Sequence, residues 1–211
     1  MRITVFGAAG NVGRRVVAEA LSRGHEVTAV VRDPARFGEV PPGAHLRAGD
    51  AADLEHVAEL SAGQDVVITA TRPVPGHEDE LVTATKTLLA GVARTGVRLL
   101  VVGGAATLTV PGGGTVVDTP DFPADWRPIA LACTGQLEAC RAAEDGVDWA
   151  YLSPPALLEP GERTGAYRVG GDDLLVGADG ESRISMEDFA VALLDEAERP
   201  RHHRTRFTVG Y

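Results

Sequence analysis

The feature that most constrains this chain is a seven-residue turn near its start, Gly7-Ala8-Ala9-Gly10-Asn11-Val12-Gly13. An apolar run, Ile3-Thr4-Val5-Phe6, leads into it, and a helical pattern, Val16, Val17, Ala20 and Leu21, leads out. A strand, a glycine turn and a helix in that order form a phosphate-binding βα unit. The helix start offers an anion unpaired backbone N–H groups and the positive end of the helix dipole. The glycines let the chain turn sharply and approach a pyrophosphate closely. The competing explanation is a tight βα turn without a ligand, since such turns occur throughout α/β chains. A second apolar strand, 26–31, ends at Arg32-Asp33-Pro34. In a dinucleotide fold that end faces the adenine ribose, where an acid suits a 2′-hydroxyl and an arginine suits a 2′-phosphate. Arg32 favours NADP(H) over NAD(H), and Asp33 beside it keeps NAD(H) open.

Alternation continues for about 110 residues. Strands are expected at 2–6, 26–31, 44–48, 66–70 and 98–102, with helices at 11–23, around Leu54 to Leu60, and at 78–95. Continuous apolar strands alternating with helices imply a buried parallel sheet, and right-handed crossovers make it doubly wound. Residues 103–125 are rich in Gly, Pro and Thr. A loop that long inside one domain is commonly a lid or wall of a site. A helix at 127–144 and a strand at 149–152 follow, and Pro154-Pro155 stops the strand. Short strands are expected within 166–184. Ser185 is placed to cap a last helix with Asp188 three residues on, and a final strand covers 206–209. The fold class is α/β, a single domain over 1–211, with 103–125 and 154–184 as substrate-side loops.

With 211 residues, 44% of them hydrophobic and 24% charged, the chain describes one soluble core. A net charge of −10 argues against nucleic acid. The basic stretch Arg199 to Arg206, with His202 and His203, is expected to be a solvated turn, and His25 and His45 are expected to be solvated too. No basic leader, cleavage site or membrane-spanning run is visible, so no membrane association is expected. Cys133 and Cys140 fall seven apart in one helix, about 10 Å at 1.5 Å per residue, too far to bridge. Reduced thiols fit a cytoplasmic protein, and no metal-ligand pattern is present. A monomer and a homodimer fit equally well.

Further segments carry a resemblance: Val30-Val31-Arg32-Asp33, Gly49-Asp50, Val101-Val102-Gly103-Gly104-Ala105, Ser153-Pro154-Pro155, Thr164-Gly165-Ala166-Tyr167 and Arg183 to Asp188. With the glycine turn, they make the chain resemble, over nearly its full length, the atypical short-chain dehydrogenase/reductase group. That NAD(P)H-binding, NmrA-like group includes biliverdin reductase B (flavin reductase) and bacterial NADH-flavin reductase-like proteins. The resemblance implies a Rossmann-type fold. It implies that Gly7, Ala9, Gly10, Asn11, Val12 and Gly13 cradle the pyrophosphate and that Arg32 meets the 2′-phosphate. Asp50 and Ala51 would edge the adenine, and Ala70, Thr71 and Arg72 would flank the ribose. Gly103, Pro154 and Pro155 would wall the nicotinamide.

Hydride transfer from a nicotinamide chiefly needs orientation and exclusion of water. A carbonyl acceptor also needs a proton donor, in short-chain dehydrogenases the tyrosine of a Tyr-x-x-x-Lys pair. Trp126-Arg127-Pro128-Ile129-Ala130 has no such pair, and Lys86, the only lysine, lies far upstream. A flavin or quinone takes protons from water, so a planar small molecule, FMN among the candidates, suits the slot as substrate. The relatives carry a serine after the fifth strand, and the resemblance implies that Thr107 supplies that hydroxyl here. Tyr151 and Tyr167 are the other hydroxyls near the expected mouth, Tyr151 reading as core and Tyr167 as a pocket-lining or packing residue, so Thr107 and Tyr167 are the catalytic candidates. The relatives' histidine after the Pro-Pro pair is Ala156 here, which weakens a carry-over of biliverdin chemistry. His77-Glu78-Asp79-Glu80 reads as a dipole-complementing helix start or as acid/base groups, and Trp126 as a stacking surface or lid anchor. Two other functions stay open: a non-redox isomerase, cyclase or dehydratase on the same fold, and an NmrA-like dinucleotide-sensing regulator.

Overall fold

The computed structural model describes residues 1–36 and 41–211. Strands β1 (Arg2–Phe6), β2 (Glu26–Val31), β3 (His45–Ala48), β4 (Val66–Thr69), β5 (Arg98–Val102) and β6 (Trp149–Ser153) lie parallel. After two short strands, β7 (Leu157–Glu159) and β8 (Arg168–Gly170), come β9 (Arg183–Ser185) and β10 (Thr205–Gly210). The described residues form an eight-stranded sheet in the order β3-β2-β1-β4-β5-β6-β10-β8, a Rossmann-like α/β arrangement in a single domain. Only β8 in it runs antiparallel, against β10. The parallel pair β7 and β9 stands apart as a second small sheet.

Helices cover both faces, which is why β1, β4 and β6 read as unbroken apolar runs rather than alternating ones. On one face α1 (Gly13–Ser22) and α5 (Met186–Glu198) bury Val16, Val17, Phe189 and Leu193 against Ile3, Val5 and Leu152. On the other, α2 (Leu54–Ser61), α3 (Glu80–Thr95) and α4 (Arg127–Arg141) bury Val57, Leu88 and Leu137 against Val67, Leu99 and Trp149. Strands β4 and β6 are buried throughout, whereas every residue of edge strand β3 is exposed.

Several boundaries differ from the sequence expectation for local reasons. Asn11 and Val12 stay in the turn, which the Gly10 N–H closes onto the Gly7 carbonyl at 3.0 Å, so α1 starts at Gly13 rather than at 11. Helix α3 starts at Glu80 rather than at 78, after a turn in which the Glu80 N–H meets the His77 carbonyl. Helix α4 stops at Arg141, where the Ala142 and Ala143 N–H groups bond Glu138 and Cys140. Ser185 does cap α5, its Oγ accepting from the Asp188 N–H at 3.0 Å. Asp188 returns no bond to the cap. Fully buried, it accepts instead from the Thr164 hydroxyl at 2.5 Å and the Gly165 N–H at 2.7 Å, with Tyr211 Oη 2.7 Å away. Arg163 donates twice to the buried Glu19 at 2.7 Å, so residues 163–165 are strapped across α1 and α5.

The expected solvated turn at 199–206 is instead largely engaged. His202 stacks on Phe207 with ring centroids 4.1 Å apart, Arg204 donates to three backbone carbonyls, and Arg206 is buried in β10. His25 is likewise engaged, 2.8 Å from Glu198.

Candidate functional site

A cavity of about 900 Å³ opens at the carboxyl ends of β1, β2 and β4, where the strand order reverses between β1 and β4. Open α/β sheets bind ligands at this switch point. Its walls bring together Gly7, Ala9 and Gly10 from the first turn, Arg32 and Asp33 after β2, Asp50 and Ala51 after β3, and Ala70, Thr71 and Arg72 after β4. The start of α3 adds Asp79, Glu80 and Leu81.

The turn is built by close backbone contact. Gly7 has φ +74°, and a Cβ on it would lie 2.6 Å from the Ala70 carbonyl oxygen. A Cβ on Gly13 would lie 2.1 Å from the Gly7 oxygen. This crowding presses α1 onto the sheet and leaves its amino end uncapped: Val12 caps no N–H with its side chain. Among the described residues, the N–H groups of Asn11, Val12 and Gly13 make no hydrogen bond. Three adjacent unspent donors at a helix amino end suit a pyrophosphate, and water alone otherwise satisfies them. Arg15 braces the same turn, donating to the Asn11 carbonyl at 2.7 Å and to Glu187 at 2.5 Å.

Arg32 and Arg72 are exposed on the cavity, and neither forms an ion pair or hydrogen bond among the described residues. In a chain of net charge −10, two unpaired guanidiniums on one cavity mark a place for anionic oxygens. Asp33 accepts from the Ala35 N–H at 3.0 Å, and Asp50 from the Ala52 N–H at 2.9 Å. Thr71 Oγ1 lies 3.1 Å from Thr69 Oγ1. His77 and Glu80 pair at 3.3 Å on the exposed rim, the geometry of a helix start.

Past β5 the chain runs as bare backbone, and Gly103, expected to wall the nicotinamide, does not line the cavity. Gly103 lies flat on the ring of Tyr151, where a Cβ would fall 2.0 Å from Cε1. The Gly104 N–H donates to Tyr151 Oη at 3.0 Å, and that hydroxyl donates to the Cys133 carbonyl at 3.0 Å, with Gln136 Oε1 at 3.2 Å. Tyr151 thus rivets the post-β5 turn to α4, and burial pushes its phenol well above the usual range. Sequence reasoning placed Tyr151 in the core but missed this backing role; the Gly103-Gly104 pair was the available signal. Pro154 and Pro155 are buried behind the end of β6 and do not line the cavity.

The two catalytic candidates are placed differently. Thr107 lies outside the cavity lining, on the loop that continues from Gly104, and accepts from Arg206 at 2.7 Å. Tyr167 is turned away from the cavity onto α5, where its hydroxyl donates to Asp195 at 2.6 Å beside Arg23. Burial and that carboxylate raise its phenol far above the ordinary value. Its hydroxyl is committed to the α1–α5 face, so the structure gives it no place in the cavity. Trp126 is 55% exposed at the amino end of α4. No group of three or more His, Cys, Asp or Glu among the described residues could hold a metal, and no helix there is long and apolar enough to cross a membrane.

A family model described as NAD(P)H-binding matches residues 7–197. The Bacillus subtilis protein YwnB is 40% identical, covering 99% of this chain and 98% of its own. A Streptococcus pneumoniae structure, a putative NADH-flavin reductase, is 31% identical with a TM-score of 0.90 over 100% of this chain and 99% of its own. A Bacteroides thetaiotaomicron structure, a putative epimerase, is 40% identical with a TM-score of 0.90 over 100% of this chain and 96% of its own.

Proposed function

The chain belongs to the NAD(P)H-binding family, and from that premise we propose that it reduces a flavin, quinone or similar planar acceptor at the expense of NADPH. The observation that carries this is the pairing of unspent N–H groups at the start of α1, directly after the cavity-lining Gly10, with unpaired Arg32 on that cavity; Asn11, Val12 and Gly13 themselves lie outside its lining. Asn11, Val12 and Gly13 hold the pyrophosphate, Arg32 meets a 2′-phosphate, and Asp50 and Ala51 edge the adenine. Ala70, Thr71 and Arg72 flank the ribose. The bound dinucleotide supplies the hydride. The protein supplies orientation and a dry wall, which is most of what hydride transfer demands. Helix α4 carries no tyrosine or lysine, so an acceptor that draws its protons from water suits the site better than a carbonyl.

The test is a fluorescence titration of NADPH and NADH against wild type and Arg32→Ala, with NADPH oxidation followed in the presence of FMN or a soluble quinone. A charge-assisted contact of about 1.5–3 kcal/mol corresponds to roughly 10–100-fold weaker NADPH binding in the variant. NADH binding should change by less than about threefold, since a 2′-hydroxyl offers the arginine no charge. Equal losses for both dinucleotides would remove Arg32 from the 2′-phosphate site. Product formed without net NADPH oxidation would favour the isomerase class.

A further inference from the structure

Arg72 is a cation on the cavity that the dinucleotide does not account for. The sheet order β2-β1-β4-β5 lays the ends of these strands side by side. Arg32 follows β2 and Arg72 follows β4, with β1 and its glycine turn between them. Neighbouring strands lie about 4.8 Å apart, so the two arginines leave the sheet roughly 10 Å from one another, on either side of the turn. Each is placed to serve a group of its own. A dinucleotide laid across the switch point has its adenosine half toward β2 and its nicotinamide half toward β4 and β5. Its phosphates are then met by Arg32 and by the amino end of α1, and the nicotinamide half carries no further anion.

The surroundings of Arg72 put its charge on the side of β5 and α4. It acts on the Cys133 thiol, pulling down the value that burial raises. Cys133 in turn backs Gly104, where a Cβ would fall 2.9 Å from Sγ. Arg72, α4 and the turn after β5 thus share one corner. Arg72 is exposed and lines the cavity, and among the described residues its guanidinium meets no carboxylate or carbonyl. Carboxylates are at hand on the same cavity, Asp79 and Glu80 at the start of α3, the latter engaged with His77 at 3.3 Å. An arginine that stands apart from them keeps its donors for a group that enters from solvent. A reduced nicotinamide is neutral and its oxidised form is a cation, so the ring itself gives a guanidinium no anion to bind.

We propose that Arg72 binds an anionic group of the acceptor, so the substrates of this chain are planar acceptors that carry a phosphate or a similar oxyanion rather than uncharged ones. A guanidinium presents a planar fork of donors that meets oxyanion oxygens two at a time. The backbone of residues 70–72 flanks the ribose, while the Arg72 side chain reaches past it to the second molecule. An acceptor held at this corner is anchored by a part that does not react. That anchor fixes where its ring lies against the nicotinamide. This assignment rests on the reductase function proposed above and names the class of acceptor it serves.

The experiment measures kcat and KM with NADPH for two pairs of acceptors that differ by one anionic group: FMN against riboflavin, and a naphthoquinone sulfonate against the same naphthoquinone without the sulfonate. NADPH affinity is titrated separately by fluorescence. Wild type should prefer the charged member in kcat/KM. Arg72→Met should cut that preference about 5–20-fold, chiefly through KM, a loss between the worth of an exposed ion pair and that of a charge-assisted hydrogen bond. Arg72→Lys should recover part of it, and added salt should erode it in wild type but not in Arg72→Met. A change confined to one pair would name the group, phosphate or sulfonate. A wild type that prefers neither charged member, or a preference that survives in Arg72→Met, would overturn the assignment. So would a loss of NADPH affinity in Arg72→Met as large as the loss of preference, which would put the guanidinium on the pyrophosphate of the cofactor. Wild-type protein that oxidises NADPH with none of the four acceptors overturns the reductase function itself, a separate outcome.

Discussion

Gly103→Ala asks whether the ring of Tyr151 fixes the backbone past β5. The added methyl would lie 2.0 Å from Cε1, 2.1 Å from Cζ and 2.6 Å from Oη. Carbons in contact sit about 3.5–4.0 Å apart, so loop or ring must move by roughly 1.5 Å. The ring is 1% exposed and has no free space to enter. If the loop moves instead, the Gly104 N–H to Tyr151 bond breaks; if the ring moves, its contacts with Cys133 and Gln136 go as well. Overpacking costs about 1–3 kcal/mol, and the stranded buried polar groups add about 1–3 kcal/mol. A total of about 2–6 kcal/mol should lower Tm by roughly 4–24 °C in a chain of this size. Urea unfolding at neutral pH and a thermal melt measure it. In a Tyr151→Leu background the methyl finds room, so the same substitution should cost only about 1 kcal/mol, because contacting residues are not additive. A cost below about 1 kcal/mol in wild type, or an equal cost in both backgrounds, would refute the packing argument.

Acid should loosen the strap over α1 and α5. The hydrogen bonds from Arg163, opposed by burial and joined by Arg23, hold Glu19 below the usual carboxylate range. A carboxyl lowered in the fold stabilises it above the unfolded value, about 4.3, and that share is lost as pH falls through the folded value. Urea midpoints should fall from about pH 5 downward, and Glu19→Gln should flatten the slope; an unchanged slope in the variant would assign the loss elsewhere. Burial pushes the Cys133 thiol up to about 11 and the Cys140 thiol up to about 12. At pH 8 neither should react with an aromatic disulfide reagent in native protein, while both react in urea. Fast native labelling of Cys140 would show that α4 opens from the sheet.

The cofactor half was legible because its signals are local. The glycine turn, the apolar strands and Arg32 each lie within a few residues of the elements they define, and β1 to β5 appear near their expected positions. Strands β7, β8 and β9 have three residues each, too few to show a period, and their partners are distant in the chain. Tyr167 looked like a pocket residue because it follows a Thr-Gly-Ala segment, but Asp195, 28 residues on, decides where its hydroxyl goes. Arg206 looked solvated because its neighbours are basic, and its burial depends on Asp172 and Thr107, 34 and 99 residues away. The second half of the chain is held by such distant contacts, and no window of sequence contains both partners.

The position of β10 also bears on the order in which the two halves can form. Strands β3-β2-β1-β4-β5 all fall within the first 102 residues and pair through single crossovers. The 103–125 loop finds its anchor only at residue 206, on a strand laid against β6. Contacts closed over long stretches of chain carry the larger entropy cost and tend to form late. The cleft at the carboxyl ends of β1, β2 and β4 can therefore be assembled before the 103–125 loop is anchored, and substitutions in the last strand can reshape that loop without unsettling the cleft. A fold with this schedule can vary the loops after β5 while keeping its dinucleotide cleft.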